Sequence, residues 1–346
     1  MLLRSIKLAT ALVALGGAAS AQAIIQSGEV QLGVDELGQL NIPGGTASTV
    51  TGTTDVGLRH VPTNLESTSH GCLCEGWGVG IGDTFVSGSA NNNSGISNLT
   101  GVSFASTAST ATSTVMLTSG ELEVTHAFAP SAETDKLYEV KVSITNTSGA
   151  DITDLRYTRT FDWDVEPDTF DEVVTIQGTG TTTNLLAFNN NGFEDSDPFA
   201  FRSGLGGFPG TDVIDFGPDD QGTNFDFGFG ALADGETFEF SIFYGAARTE
   251  AEALAALGEV GAELFSLGQP SGDPLGTGTR SSDGEPTATF IFGFADVGGS
   301  VIIPDPTPDP TTPIPVPASM LLLLTGVGGF AGMGALRKRG KKPVAA

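Results

Sequence analysis

Apolar and polar residues alternate along most of this chain, with the two-residue period of a half-buried β-strand. Residues 29–34 alternate in this way, as do 115–118 and 122–128, where Leu122, Val124 and Phe128 point inward. The clearest pattern spans 137–164. Val140, Val142 and Ile144 share one face; Glu139, Lys141, Ser143 and Thr145 share the other. A turn over 146–151 leads into a second run with Leu155, Tyr157, Phe161 and Trp163 on its apolar face. This arrangement predicts a β-hairpin. Arg159 interrupts the apolar face and is expected at a rim or a bulge. Residues 173–178, 225–230, 237–244 and 288–294 add further strands.

One stretch has a different period. Leu254, Leu257, Val260, Leu264 and Phe265 recur at helical spacing, Thr249 and Glu252 form a capping box, and Gly268 stands where a helix-ending glycine belongs. This predicts one helix over about 250–267, covering an end or edge of the sheets. The fold class is therefore all-β, a large β-sandwich or supersandwich with one covering helix, followed by a C-terminal transmembrane helix.

The ends of the chain differ from the middle. Residues 1–23 read as a secretory signal: Arg4 and Lys7 precede a short apolar run at 8–17, and small residues follow at Ala19, Ala21 and Ala23. Cleavage is expected after Ala23, leaving 24–302 as an extracytoplasmic β domain. A linker over 303–317 holds seven prolines, which favour an extended chain at ~3.1 Å per residue. Within 318–346, residues 320–336 carry no charge and are just long enough for a transmembrane helix. The basic stop Arg337, Lys338, Arg339, Lys341 and Lys342 is expected to stay cytoplasmic.

At Ile314, Pro315, Val316, Pro317 and Ala318 the tail resembles the PEP-CTERM-type C-terminal sorting signals of Gram-negative bacteria. It is closest to the Val-Pro-Leu-Pro-Ala variant and departs from it at two aliphatic positions. The resemblance covers about the last 30 residues and leaves the β domain unassigned. It implies export by the secretion machinery, transit through the membrane, recognition by an exosortase-like protease, and a final place at the cell surface or outside it. It also implies association with exopolysaccharide. A simple single-pass anchor is the plainer alternative. Residues 138–149 further resemble strands of Ig-like bacterial surface modules.

Charge narrows the choice of partner. The whole chain carries −26; between the signal and the basic stop, eight Lys and Arg stand against 41 Asp and Glu, a net of −33. Such a surface excludes nucleic acid as a partner. Asp162 and Asp164 share a strand face about 7 Å apart, and Glu166 and Asp168 follow at once, a candidate calcium site together with the acidic loop 215–220. A salt-bridged strand end involving Arg156 is the alternative. Cys72 and Cys74 suggest a disulfide in an exported protein; a metal site with His70 would have few ligands for zinc. The histidines at 60, 70 and 126 form no triad pattern, and no nucleophile elbow or phosphate loop is present. Trp77 and Trp163 are expected in the core rather than against sugars. The expected function is non-enzymatic, structural or adhesive. The alternative is a carbohydrate-binding module or carbohydrate-active enzyme of β-supersandwich type.

Overall fold

The alternating stretches form strands, and a computed structural model describes them over residues 22–71, 75–202 and 209–301. In chain order they begin with β1 (Gln22–Ser27), β2 (Val30–Asp35), β3 (Leu58–His60), β4 (Leu65–Glu66), β5 (Glu75–Ile81), β6 (Val86–Asn91) and β7 (Gly95–Ser97). Next come β8 (Leu99–Ser106), β9 (Ala111–Leu117), β10 (Leu122–Pro130), β11 (Leu137–Asn146), β12 (Ile152–Asp162), β13 (Glu172–Gln177) and β14 (Leu185–Asn189). The last are β15 (Val213–Asp219), β16 (Gly222–Leu232), β17 (Thr237–Ala247), the helix α1 (Glu250–Glu259), β18 (Leu264–Pro270) and β19 (Thr289–Ala295). The expected transmembrane helix, the sorting motif and basic stop, residues 1–21 of the signal, Cys72 and Cys74 all lie outside the described residues. Among the described residues no helix is long and apolar enough to cross a membrane.

Three antiparallel sheets result. Nine strands run in the order β15-β13-β18-β19-β17-β11-β10-β9-β8, six in the order β14-β16-β12-β5-β6-β7, and four in the order β1-β2-β3-β4. The two larger sheets face each other in a sandwich-like layer. Tyr157 of β12 meets Phe240 of β17 at 5.0 Å between ring centroids, Phe161 meets Phe292 of β19 at 5.0 Å, and Phe227 of β16 meets Phe294 at 5.0 Å. Leu122, Val124 and Phe128 point into this core as their alternation predicts, and both Trp77 and Trp163 are fully buried in it. The outer face of β5 is a row of glycines because another segment lies across it. A Cβ on Gly78 would stand 1.9 Å from the Ser196 carbonyl oxygen, and one on Gly80 would stand 2.6 Å from the Phe199 ring.

The predicted hairpin over 137–164 is not one. Its two strands form as read, but β11 pairs with β10 and β17, whereas β12 pairs with β5 and β16. The turn between them carries the chain from one sheet to the other, and Asn146 fastens it by donating to the carbonyls of Ala150 (2.8 Å) and Leu232 (3.0 Å). Alternation reports which face of a strand is buried; both strands bury the expected face, on opposite sides of one core. Arg159 is at neither a rim nor a bulge. It is wholly buried, and the irregular pairing of β12 with β16 falls between Ile152 and Arg156.

The helix is shorter than predicted. Thr249 caps it by accepting the Glu252 N–H at 3.2 Å, while the Glu252 carboxylate takes the Arg248 N–H at 3.2 Å. It stops at Gly261, whose φ of +66° is left-handed. The Gly261 N–H donates to the Gly258 carbonyl (3.2 Å) and the Ala262 N–H to the Leu257 carbonyl (3.0 Å), the paired bonds of a Schellman ending. The second half of the predicted helix is β18, a strand inside the nine-stranded sheet. Leu264 faces the main core; Phe265 and Leu267 face the opposite side, beneath Ala253, Ala256 and Leu257 of α1. The helix thus covers the outer face of the nine-stranded sheet, not an end or edge.

Two glycines separate these alternatives experimentally. Gly268→Ala would place a Cβ 2.5 Å from the Trp163 ring and is expected to cost ~1–3 kcal/mol by overpacking. Gly261→Ala is expected to cost ~1–2 kcal/mol through its left-handed backbone. Urea unfolding followed by tryptophan fluorescence checks both values.

Candidate functional site

The acidic run 162–168 leaves the end of β12 and passes between the four-stranded sheet and the loops around 190 and 220. Asp162, Asp164 and Glu166 are all buried, and the run does not converge on one point. Glu166 turns toward the 48–51 loop. Its carboxylate accepts the Ser48 hydroxyl (2.6 Å), the Thr51 N–H (2.9 Å), the Thr51 hydroxyl and the Glu66 N–H (3.0 Å), and it lies 3.3 Å from His70 Nε2. Burial alone would raise its pKa, but the hydrogen bonds from His70, Ser48, Thr51 and Glu66 outweigh that and hold it at about 2. Asp168 turns the other way, pairs with Arg280 and accepts the Gly272 N–H at 2.8 Å. Arg156 pairs with Asp154 instead of the run.

Asp162 and Asp164 keep one expected neighbour, Asp220 of the 215–220 loop, and gain one that was not expected, Glu172. Glu172, at the start of β13, and Asp220, in the β15–β16 turn, are within electrostatic reach of them. Burial first, then the charges of Asp164, Asp220 and Glu172, pushes Asp162 up to about 9. Burial is also the main cause that pushes Asp164 up to about 7 and Glu172 up to about 8. Both carboxylate oxygens of Asp164 are buried, and the nearby His70, through its charge and its backbone N–H, only partly offsets that burial. Glu172 is better served, accepting the Val165 N–H at 3.0 Å and the Phe170 N–H at 2.6 Å. Among the described residues, no three His, Cys, Asp or Glu side chains are grouped so as to hold a metal ion. The arrangement can store protons: it favours neutral carboxyls where a solvated cluster would be ionised.

A second polar centre escaped the sequence. Arg159 reaches Glu75 in a buried ion pair, donates to the Gly38 carbonyl at 3.1 Å, and lies 5.6 Å over the Tyr244 ring. His126 Nε2 lies 3.0 Å from the Tyr157 hydroxyl, and its ring packs edge-on against Trp77 at 4.6 Å. Burial pushes His126 well below its ordinary value, so it is neutral here. The one available signal was Arg159 itself, a cation at an apolar position of its strand. Its partner lies 84 positions away in sequence and could not be read from periodicity.

The tryptophans and the three tyrosines are buried and unavailable to stack on a ligand. His70 has its Nε2 2.8 Å from the Thr51 hydroxyl. No family model matches this chain, and no curated protein matches its sequence.

The proton-storing carboxyls give a pH dependence opposite to that of ordinary salt-bridged acids. Asp162, Asp164 and Glu172 lose their protons near pH 4 when unfolded but hold them to about 9, 7 and 8 when folded. Over that window the folded state binds more protons, so its stability falls as pH rises. Melting temperature is expected to decline from pH 5 to pH 9, and Asp164→Asn to flatten the decline and raise the value at pH 8. Differential scanning calorimetry across this range is the check.

Proposed function

We propose that this chain is an exported structural or adhesive protein, displayed at the cell surface or released into an exopolysaccharide matrix by an exosortase-like system. The observation that carries the proposal is the order of the tail: Ile314, Pro315, Val316, Pro317 and Ala318, then the uncharged stretch 320–336, then the basic stop. The β domain supports it as a rigid body to be displayed, with the two large sheets taken as one large sandwich or supersandwich. Mass spectrometry of both ends of the surface-located protein tests the reading. The tail is expected to be missing beyond the motif; an intact Ala346 would leave only the single-pass anchor. At the other end, Ala23 pairs with Val34 inside β1. Cleavage after Ala21 would keep the whole strand, so the mature chain is expected to begin at Gln22 and not at Ile24.

Carbohydrate binding is a second reading, favoured by one surface feature. Phe85 is 75% exposed and held at a left-handed φ of +56°, which a bulky side chain rarely adopts. Its ring meets Phe199 edge-on at 5.4 Å, and Phe201 nearby in sequence is 90% exposed. Calcium, expected from the sequence at Asp162, Asp164, Glu166 and Asp168 with the 215–220 loop, belongs to the same proposal and rests on that acidic sequence alone. A glycan array run with and without millimolar calcium covers both ideas. Binding that is lost in Phe85→Ala would replace the structural reading with the carbohydrate one. Calcium is expected to raise the melting temperature at pH 8, and an unmoved value removes it.

A further inference from the structure

The two edges of the nine-stranded sheet are built differently. The β15 edge carries several of the devices that sheets use against unwanted pairing. It carries Asp215, Asp219 and Pro218, Asp215 sits at a left-handed φ of +47°, and its register with β13 shifts twice. The β8 edge has no charge and no proline, and most of its residues are exposed. Its one irregularity is at Val102, where the register with β9 shifts; beyond it Ser103, Phe104, Ala105 and Ser106 pair regularly with β9. Beside it lies the free edge of the six-stranded sheet, the fully exposed β7, separated from β8 in sequence by Asn98 alone. Asn98, at this junction, donates its side-chain amide to the Ser87 carbonyl of β6 at 2.8 Å.

This corner of the molecule is also its electrically silent part. Residues 84–120, 37 positions, hold no Asp, Glu, Lys or Arg. The described residues as a whole hold eight Lys and Arg against 39 acids (41 less Asp305 and Asp309), a net of −31. Two copies therefore repel one another at most approaches, but the repulsion is weakest where both present this stretch. Ile96 and Val102 stand out from it at 61% and 53% exposure.

We propose that β8 is a self-pairing edge, and that a second copy of this chain docks there by an antiparallel β8–β8 contact centred on residues 103–106. The contact is two-fold, with the same edge used by both copies, and it joins the two nine-stranded sheets into one. Backbone hydrogen bonds supply the attraction; the absence of charge sets where it can occur. The guarded β15 edge keeps the opposite side from continuing the sheet, so pairing stops at a dimer. Salt strengthens the association by screening the remaining repulsion.

Analytical ultracentrifugation of the full chain in mild detergent tests this without any polysaccharide, so its failure falls on the edge and not on the matrix role. A monomer–dimer equilibrium is expected, tightening from low to high salt. Ala105→Glu places like charges near each other across the two-fold contact and is expected to weaken it roughly tenfold or more. Ser282→Glu adds the same charge at an exposed loop position and is expected to leave it unchanged. Should Ala105→Glu fail to fold, hydrogen exchange of the unaltered chain decides: amides within 99–106 are expected to slow as protein concentration rises. A chain that stays monomeric at all concentrations, two variants that behave alike, or exchange at 99–106 that ignores concentration would each overturn the proposal.

Discussion

The fold depends on one charged pair placed where charge is least welcome. Arg159 projects from β12 into the layer between the two large sheets and meets Glu75 at the start of β5. The same Glu75 accepts the Leu40 N–H at 2.8 Å, and its carbonyl accepts the Gln39 side chain at 3.0 Å. Arg159 also binds the Gly38 carbonyl and lies over Tyr244 of β17. One pair therefore connects the six-stranded sheet, the nine-stranded sheet and the segment that follows β2. Burial works against the guanidinium charge, but Glu75 more than offsets it, and Arg159 titrates above its ordinary range. Such a pair adds little net stability over an apolar substitute. Its effect is to make other arrangements costly, because a partner left alone in this layer would lose ~3–5 kcal/mol.

Acidic residues elsewhere follow a related logic. With few cations available, many carboxylates are held by backbone N–H groups. Asp273 accepts from Thr277 (2.9 Å), Gly278 (2.8 Å) and Thr279 (3.1 Å), and Glu263 accepts from Val297 (2.9 Å) and Gly299 (2.8 Å). These bonds let irregular loops close tightly without apolar contacts. Where burial outweighs such help, as at Asp164 beside His70, the carboxyl retains its proton instead. The acidic surface that keeps copies apart and the charge-free corner at 84–120 are two parts of one pattern, since a bare edge is tolerable only where its geometry is used or defended.

The places where the sequence misled share a physical cause. Residues 254–265 satisfy a helical period up to Val260 and a strand period after Leu264, and the two periods overlap in the same apolar residues. Only the left-handed Gly261 divides them. The 137–164 stretch matches a hairpin because a turn joins two alternating runs, yet the turn crosses between sheets. Asp162 and Asp164 alternate with apolar neighbours as solvent-facing residues do, and the segments that cover them come from elsewhere in the chain.

What the sequence by itself determined is local: which stretches extend, which face of Leu122, Val124 and Phe128 turns inward, the Thr249 cap, and the lack of charge at 84–120. These follow from side-chain period and composition, which need no distant partner. Only the tertiary structure decided which strands pair, that Arg159 is interior, and that Glu172 joins Asp162, Asp164 and Asp220 while Asp168 turns away to Arg280. Each of these depends on residues far apart in the chain, and alternation carries a face but not an address.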